Sequence, residues 1–168
     1  MRGGSDWQRA RFQLGPTTIL LATHTASQLL FSRILVAVDG SESAKRAFEK
    51  SVYLAKQCNS RLDMIHVVLD STYGGDSAAT FQLIEELKQR GKKLLEEYAA
   101  QASRSSVKVQ TLLQLGDHAQ VIIDTANKGD YELIMMGSRG LSPFKELLLG
   151  SVSFKVMHHA KCPVMVVR

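Results

Sequence analysis

The residues with the clearest chemical potential form one stretch, Gly137-Ser138-Arg139-Gly140, followed after nine residues by Gly150-Ser151-Val152-Ser153. Glycine lets a backbone approach a ligand closely or take a positive φ. A helix opening at Ser151 would present unpaired N–H groups and the positive end of its dipole to an anion. The hydroxyls of Ser151 and Ser153 supply either donors for phosphate oxygens or caps for that helix. Such a set suits a phosphate cradle. On spacing alone a purely steric reading competes with it, because a turn between strand and helix calls for glycine in any case. No Gly-Lys-Ser/Thr follows, so the stretch is not a P-loop, and it is not the GxGxxG dinucleotide fingerprint either.

The elements that must hold this stretch are legible from periodicity. Leu133-Ile134-Met135-Met136 is an apolar run that reads as a buried strand, so the glycines fall where a strand hands over to a helix running from Ser151 to about His159. Earlier, Ile34 to Val38 reads as a buried strand of the parallel type, Asp39-Gly40-Ser41 as its turn, and Ala44, Ala47, Phe48, Ser51, Ala55 and Cys58 as the inner face of a helix. Arg61 to Val68 gives a second strand and Leu69 to Ala79, with Gly74-Gly75, a loop. A long helix from about Thr80 to Ser103 follows, with an apolar stripe at Phe81, Ile84, Leu87, Leu94, Leu95 and Tyr98, and then a third strand over Val107 to Leu113. Gly116-Asp117 turns into a helix whose inner face is Ala119, Ile122, Ile123 and Ala126, ended by Gly129-Asp130, and Val164 to Val167 is the fifth strand. Strands alternating with helices imply an α/β fold with an open parallel sheet covered on both faces. In such a sheet ligands sit outside the carboxyl ends of the strands, where the strand order reverses.

Composition places the chain among ordinary globular domains. Its 168 residues are 45% hydrophobic and 22% charged, enough for one domain with a proper core. The net charge of +5 shrinks on inspection, since Arg2, Arg9 and Arg11 against Asp6 account for +2 within residues 1–32. No basic cluster interleaved with aromatics appears, which argues against nucleic-acid binding. Cys58 and Cys162 make no metal or redox motif and read as structural thiols of a reducing cytoplasm. The run from Ile19 to Phe31 is broken by Thr23, His24, Thr25, Ser27 and Gln28, so it is neither a membrane span nor a clear secretory signal. Residues 1–31 read as a poorly ordered extension ahead of one domain at 32–168.

From about Arg33 to Arg168, the GSRG turn, the nine-residue gap, GSVS and the closing Cys162-Pro163-Val164-Met165-Val166-Val167 strand closely resemble the universal stress protein family. The match is to its nucleotide-binding branch with the pattern G-2x-G-9x-G-(S/T). The resemblance implies a Rossmann-like, adenine nucleotide alpha hydrolase-like sheet of five parallel strands in order 3-2-1-4-5, with ATP, or ADP or AMP, lying across the turns after the first and fourth strands. By the same resemblance Ala37, Val38 and Asp39 border the adenosine and Val67 offers its backbone to the adenine edge. Met136 and Gly137 pack near base and ribose, Arg139 and Gly140 flank the phosphates, and Gly150, Ser151, Val152 and Ser153 hold them. Many family members carry a histidine at the position of Arg139. Homodimerisation through the last strand, and an unidentified signalling partner, are implied likewise.

Each of these residues also has a purely structural reading. Asp39 reads equally as a cap for the following helix. Val67 is core in either case, Arg139 and Lys145 suit solvated loop charges, and His66 reads as a satisfied, partly buried histidine rather than a catalytic one. His158-His159 would complement the dipole of the last helix. No metal-ligand spacing appears among the histidines, so Mg²⁺ or Mn²⁺ would be held through the phosphates. No base stands beside the glycines, and slow or absent turnover is expected. Three functions follow: an ATP-binding regulatory protein of stress response, a weak ATPase or self-phosphorylating protein with Ser151 or Ser153 as acceptor, or a nucleotide-free interaction module of the same fold.

Overall fold

The computed structural model describes residues 31–70, 78–141 and 149–168. The N-terminal extension, Gly74-Gly75, Lys145 and most of the nine-residue gap lie outside them. The chain alternates through β1 (Arg33–Ala37), α1 (Glu42–Cys58), β2 (Arg61–Val68), α2 (Ala78–Arg104), β3 (Val109–Leu115), α3 (His118–Lys128), β4 (Leu133–Gly137), α4 (Ser151–His159) and β5 (Val164–Val167). All pairings are parallel, and the strand order is β3-β2-β1-β4-β5.

β1 and β4 are central, and their unbroken apolar runs follow from burial on both faces. Alternation divides the core in two. Ile34, Val36, Leu62, Met64 and Met135 meet Phe48 and Val52 of α1 and Leu95 and Tyr98 of α2. Leu35, Ala37, Ile65, Ile134 and Met136 meet Ile122 and Ile123 of α3 and Val156 of α4. Each such fully buried aliphatic side chain contributes roughly 1.5–3 kcal/mol.

Two expectations shift. The third strand runs Val109–Leu115 rather than from Val107. Val107 donates its N–H to the Ala102 carbonyl at 3.3 Å and closes the end of α2 instead, while Gly116 N–H reaches the Val68 carbonyl and carries pairing on to Leu115. Phe81 is 56% exposed, and the buried stripe of α2 begins at Ile84. A 27-residue helix spans roughly 40 Å, whereas β2, at eight residues, spans roughly 26 Å. One end of α2 therefore overhangs the sheet.

At the amino ends of β1 and β2, away from the glycine turns, Asp63 is fully buried in β2. Arg33 approaches its carboxylate at 3.2 Å and Arg61 at 3.1 Å, and the Tyr131 hydroxyl donates to it at 2.6 Å. Arg33 also lies over the Tyr131 ring, 4.3 Å from its centroid, and donates to the Gly129 carbonyl at 2.5 Å. Burial, then the bond to Asp63 and its charge, push the Tyr131 hydroxyl up to about 12. Removing one partner of such a set leaves an uncompensated buried charge and costs about 3–5 kcal/mol.

Candidate functional site

β1 lies between β2 and β4, so the chain leaves its two neighbouring central strands on opposite sides and opens a crevice at their carboxyl ends. A cavity of about 670 Å³ occupies that position, within the range of small-ligand pockets. Ala37, Val38, Asp39, Val67, Met136, Gly137, Arg139, Gly140, Gly150, Ser151, Val152 and Ser153 all lie on its wall. Residues a hundred positions apart thus meet on one surface.

The turn after β4 is held by the protein's own backbone and hydroxyls. Ser138 N–H donates to the Val167 carbonyl and Gly150 N–H to the Ser138 carbonyl, both at 2.7 Å. The Arg139 carbonyl accepts from Ser43 Oγ at 2.5 Å and from Ser41 Oγ at 3.2 Å. The GSRG turn is therefore fastened onto the start of α1. That contact explains Gly137, where a Cβ would come within 2.4 Å of Ser43 Oγ and 2.7 Å of the Ala44 nitrogen. At Gly140 a Cβ would meet Asp39 Oδ2 at 2.8 Å. Gly150 differs, because a Cβ there would find ordinary contacts, none nearer than 3.4 Å. Among the described residues nothing demands glycine at 150.

Asp39 serves the local turn with one oxygen. Its Oδ1 accepts Ser41 N–H at 2.9 Å, while the cap of α1 is Ser41, whose hydroxyl accepts from Ala44 N–H at 3.2 Å. Oδ2 faces the Gly140 side of the cavity. α3 is capped by Asp117, which accepts Gln120 N–H at 3.0 Å; that bond, aided by Lys155, holds its carboxyl below the usual range. α4 has no such partner. Its cap residue is Gly150, with no side-chain bond to the first turn. The Ser153 hydroxyl is buried and directed at the carbonyls of Gly150, 2.9 Å, and Ser138, 3.1 Å. Neither serine caps the helix, and only Ser151 keeps an exposed hydroxyl. Among the described residues, the first N–H groups and the positive dipole end of α4 consequently face the cavity without a resident acceptor side chain.

The rest of the wall was not anticipated. His66 and, from α2, Leu87, Arg90, Gly91 and Leu94 close one side, while His118 and Ile122 of α3 contribute on the other. His66 is half-buried and partnered, as its strand position suggests, but it also faces the cavity. Gly91, a glycine inside a long helix, was the available signal. Arg90 and Arg139 are exposed cations on the wall, where, among the described residues, Asp39 supplies the one carboxylate. The apolar floor and these cations fit a ligand with one flat apolar part and one anionic part. Among the described residues no group of three or more His, Cys, Asp or Glu side chains could hold a metal.

A doubly wound α/β sheet with a cavity at its switch point is the class that fold and site define. The model of the universal stress protein family matches residues 30–168, and the chain belongs to that family. It is 36% identical over 148 residues to universal stress protein YxiE of Bacillus subtilis, covering 83% of this chain and all of that one. Among solved structures, universal stress protein UspA from Lactobacillus plantarum superposes with a TM-score of 0.73 at 27% identity, covering 82% of this chain and 97% of the other. A family member from Arabidopsis thaliana solved with AMP bound superposes at 0.61 with 26% identity, covering 81% and 90%. Among the described residues no helix is long and apolar enough to cross a membrane.

Proposed function

We propose that this protein binds an adenine nucleotide, ATP or else ADP or AMP, in the cavity between β1 and β4, and acts in the cytoplasm as a nucleotide-dependent regulator of stress response. The observation that carries the reading is the uncapped α4 N-terminus facing a cavity whose other half is apolar. The AMP bound to the Arabidopsis relative supports it. Adenosine rests on Ala37, Val38, Met136 and Gly137, with the free Asp39 oxygen toward the ribose and the Val67 backbone toward the base. The phosphates run past Arg139 and Gly140 to the N–H groups of Ser151, Val152 and Ser153. Mg²⁺ or Mn²⁺ rides on phosphate oxygens and water, which supplies charge neutralisation without a protein cage.

Turnover is slow or absent in this reading, since Asp39 already anchors Ser41 N–H and, among the described residues, no second carboxylate lines the cavity. If the chain labels itself, the acceptor is Ser151, because the Ser153 hydroxyl is buried on carbonyls. A homodimer forms through β5, an edge strand that carries exposed Met165, with exposed Phe154 and Met157 on α4, and pairing with a copy would leave no open edge there.

Thermal unfolding with and without ATP and Mg²⁺ tests the pocket, after a denatured sample has been checked for co-purified nucleotide. Ligand at a hundred times its Kd adds about 2.7 kcal/mol, which raises the midpoint by roughly 5–10 °C for a domain of this size. No rise, together with no released nucleotide, would refute the reading and leave an interaction module.

A further inference from the structure

The ladder between β1 and β2 stops one bond short of what their geometry allows. The strands pair as far as Ala37 beside Ile65, and Val38 still donates its N–H to the Ile65 carbonyl at 3.0 Å. β2 meanwhile runs on to Val68 in register with β3. In a parallel ladder the next bond would join Val67 N–H to the Val38 carbonyl. That carbonyl is met instead by Nδ1 of His66 at 2.8 Å. A carbonyl oxygen only accepts, so Nδ1 carries the proton in this contact.

The direction of the Val67 backbone follows from alternation. The Ile65 carbonyl faces β1, and the Val68 carbonyl faces β3, where it takes Gly116 N–H at 3.0 Å. Val67 therefore turns its N–H and C=O to the β1 side, beyond the last paired residue of β1 and at the cavity wall that both Val38 and Val67 line. A second observation concerns the seat of the imidazole. Gly91 sits inside the 27-residue α2, where glycine costs about 1 kcal/mol relative to alanine. A Cβ at Gly91 would come within 2.5 Å of His66 Cδ2 and 2.9 Å of Nε2. The missing side chain is the space the ring occupies.

We propose that His66 is a positioning residue: by engaging the Val38 carbonyl it keeps Val67 N–H out of the ladder and available to the ligand. The inference rests on the nucleotide reading for its consequence, but its structural part does not. A chain with an apolar residue at 66 would close the ladder, satisfy the Val38 carbonyl with Val67 N–H and withdraw that donor from the base. Gly91 makes the arrangement sterically possible, which links a residue of α2 to the recognition edge of β2.

Two measurements on the full chain test it. Amide exchange of the nucleotide-free protein, followed by NMR, reads the ladder directly, and titration with ATP reads its consequence. In His66→Leu the Val67 amide exchanges at least about tenfold more slowly, as expected for a newly bonded N–H, while Ile65 is unaffected; ATP affinity falls roughly three- to tenfold, the loss of one neutral hydrogen bond. His66→Asn, whose side-chain amide can donate from about the place of Nδ1, restores both toward wild type. Gly91→Ala, which displaces the ring while leaving the imidazole in the chain, behaves as His66→Leu and serves if that variant folds poorly. Unchanged or faster Val67 exchange in His66→Leu, or no restoration by His66→Asn, would overturn the proposal. If wild type binds no ATP, the nucleotide reading fails alone, and the exchange measurement still decides whether His66 diverts the carbonyl.

Discussion

Gly150→Asp separates what the folded chain requires at the head of α4 from what a ligand requires. The backbone at Gly150 has φ −74° and ψ 156°, an extended cap geometry open to any residue, and a Cβ would find nothing nearer than the Ser138 carbonyl at 3.4 Å. A Cβ at this position therefore meets no steric penalty among the described residues. As a helix cap, aspartate exceeds glycine by a few tenths of a kcal/mol, and a carboxylate at the dipole's positive end adds about 0.3–1 kcal/mol. The ligand-free protein should therefore gain roughly 0.5–1 kcal/mol, a rise in Tm of about 1–4 °C. Binding should move the other way. A carboxylate some 4 Å from a phosphate repels it by at most about 4 kcal/mol at the dielectric of a protein surface, and partial screening brings this to roughly 1–4 kcal/mol. ATP affinity should fall between about fivefold and several hundredfold. Calorimetric titration with ATP and Mg²⁺, beside thermal unfolding without ligand, reads both signs. Gly150→Ala is the control, expected to lose a few tenths of a kcal/mol or more of stability and to keep its affinity within about threefold. Wild-type affinity in the aspartate variant would refute phosphate binding at α4. Lower ligand-free stability would refute the claim that its N-terminus is open.

Two further predictions concern stability. Gly137→Ala drives a Cβ to 2.4 Å from Ser43 Oγ and 2.7 Å from the Ala44 nitrogen, so the urea midpoint should drop by the equivalent of about 1–3 kcal/mol with an unchanged slope; a wild-type midpoint would mean that α1 yields without cost. The Tyr131 hydroxyl is raised from 10.0 to about 12, through burial first and Asp63 second. The unfolded chain thus loses this proton at lower pH than the folded one, and the stabilisation present below pH 10 is lost between 10 and 12, by at most roughly 2–3 kcal/mol. Urea unfolding from pH 8 upward should show this alkaline loss in wild type and a smaller one in Tyr131→Phe, and equal losses in both would discard the assignment.

Local pattern carried much of this molecule. Apolar runs, turn residues and helical spacing placed all nine described elements, because a strand or helix buries its own face at its own period and needs no partner to announce it. The interrupted glycine motif named a loop that the structure places on the cavity wall, and it was the family resemblance rather than any periodicity that implied the strand order. Where pattern failed, the missing information lay in distances between elements. β3, an edge strand only partly covered on each face, reads ambiguously, and its register came from Gly116 reaching Val68. Phe81 looks like a core residue until the length of α2 is set against that of the sheet.

The site divides along the same line. Sequence alone determined that glycines, two serines and a helix start fall between β4 and α4, which is a statement about neighbours along one chain. Only the tertiary structure decided what each one does. Gly137 is glycine because the start of α1 packs on it, while Gly150 faces no such demand; the Ser153 hydroxyl turns to carbonyls, and Arg90, Gly91 and His66 reach the cavity from α2 and β2. Those outcomes depend on contacts between residues tens to a hundred positions apart, where a shift of a few ångströms decides whether a group packs, bonds or stays open to a ligand. The buried Asp63 makes the same point at the other end of the sheet, since an aspartate in an apolar strand is intelligible only once Arg33, Arg61 and Tyr131 surround it.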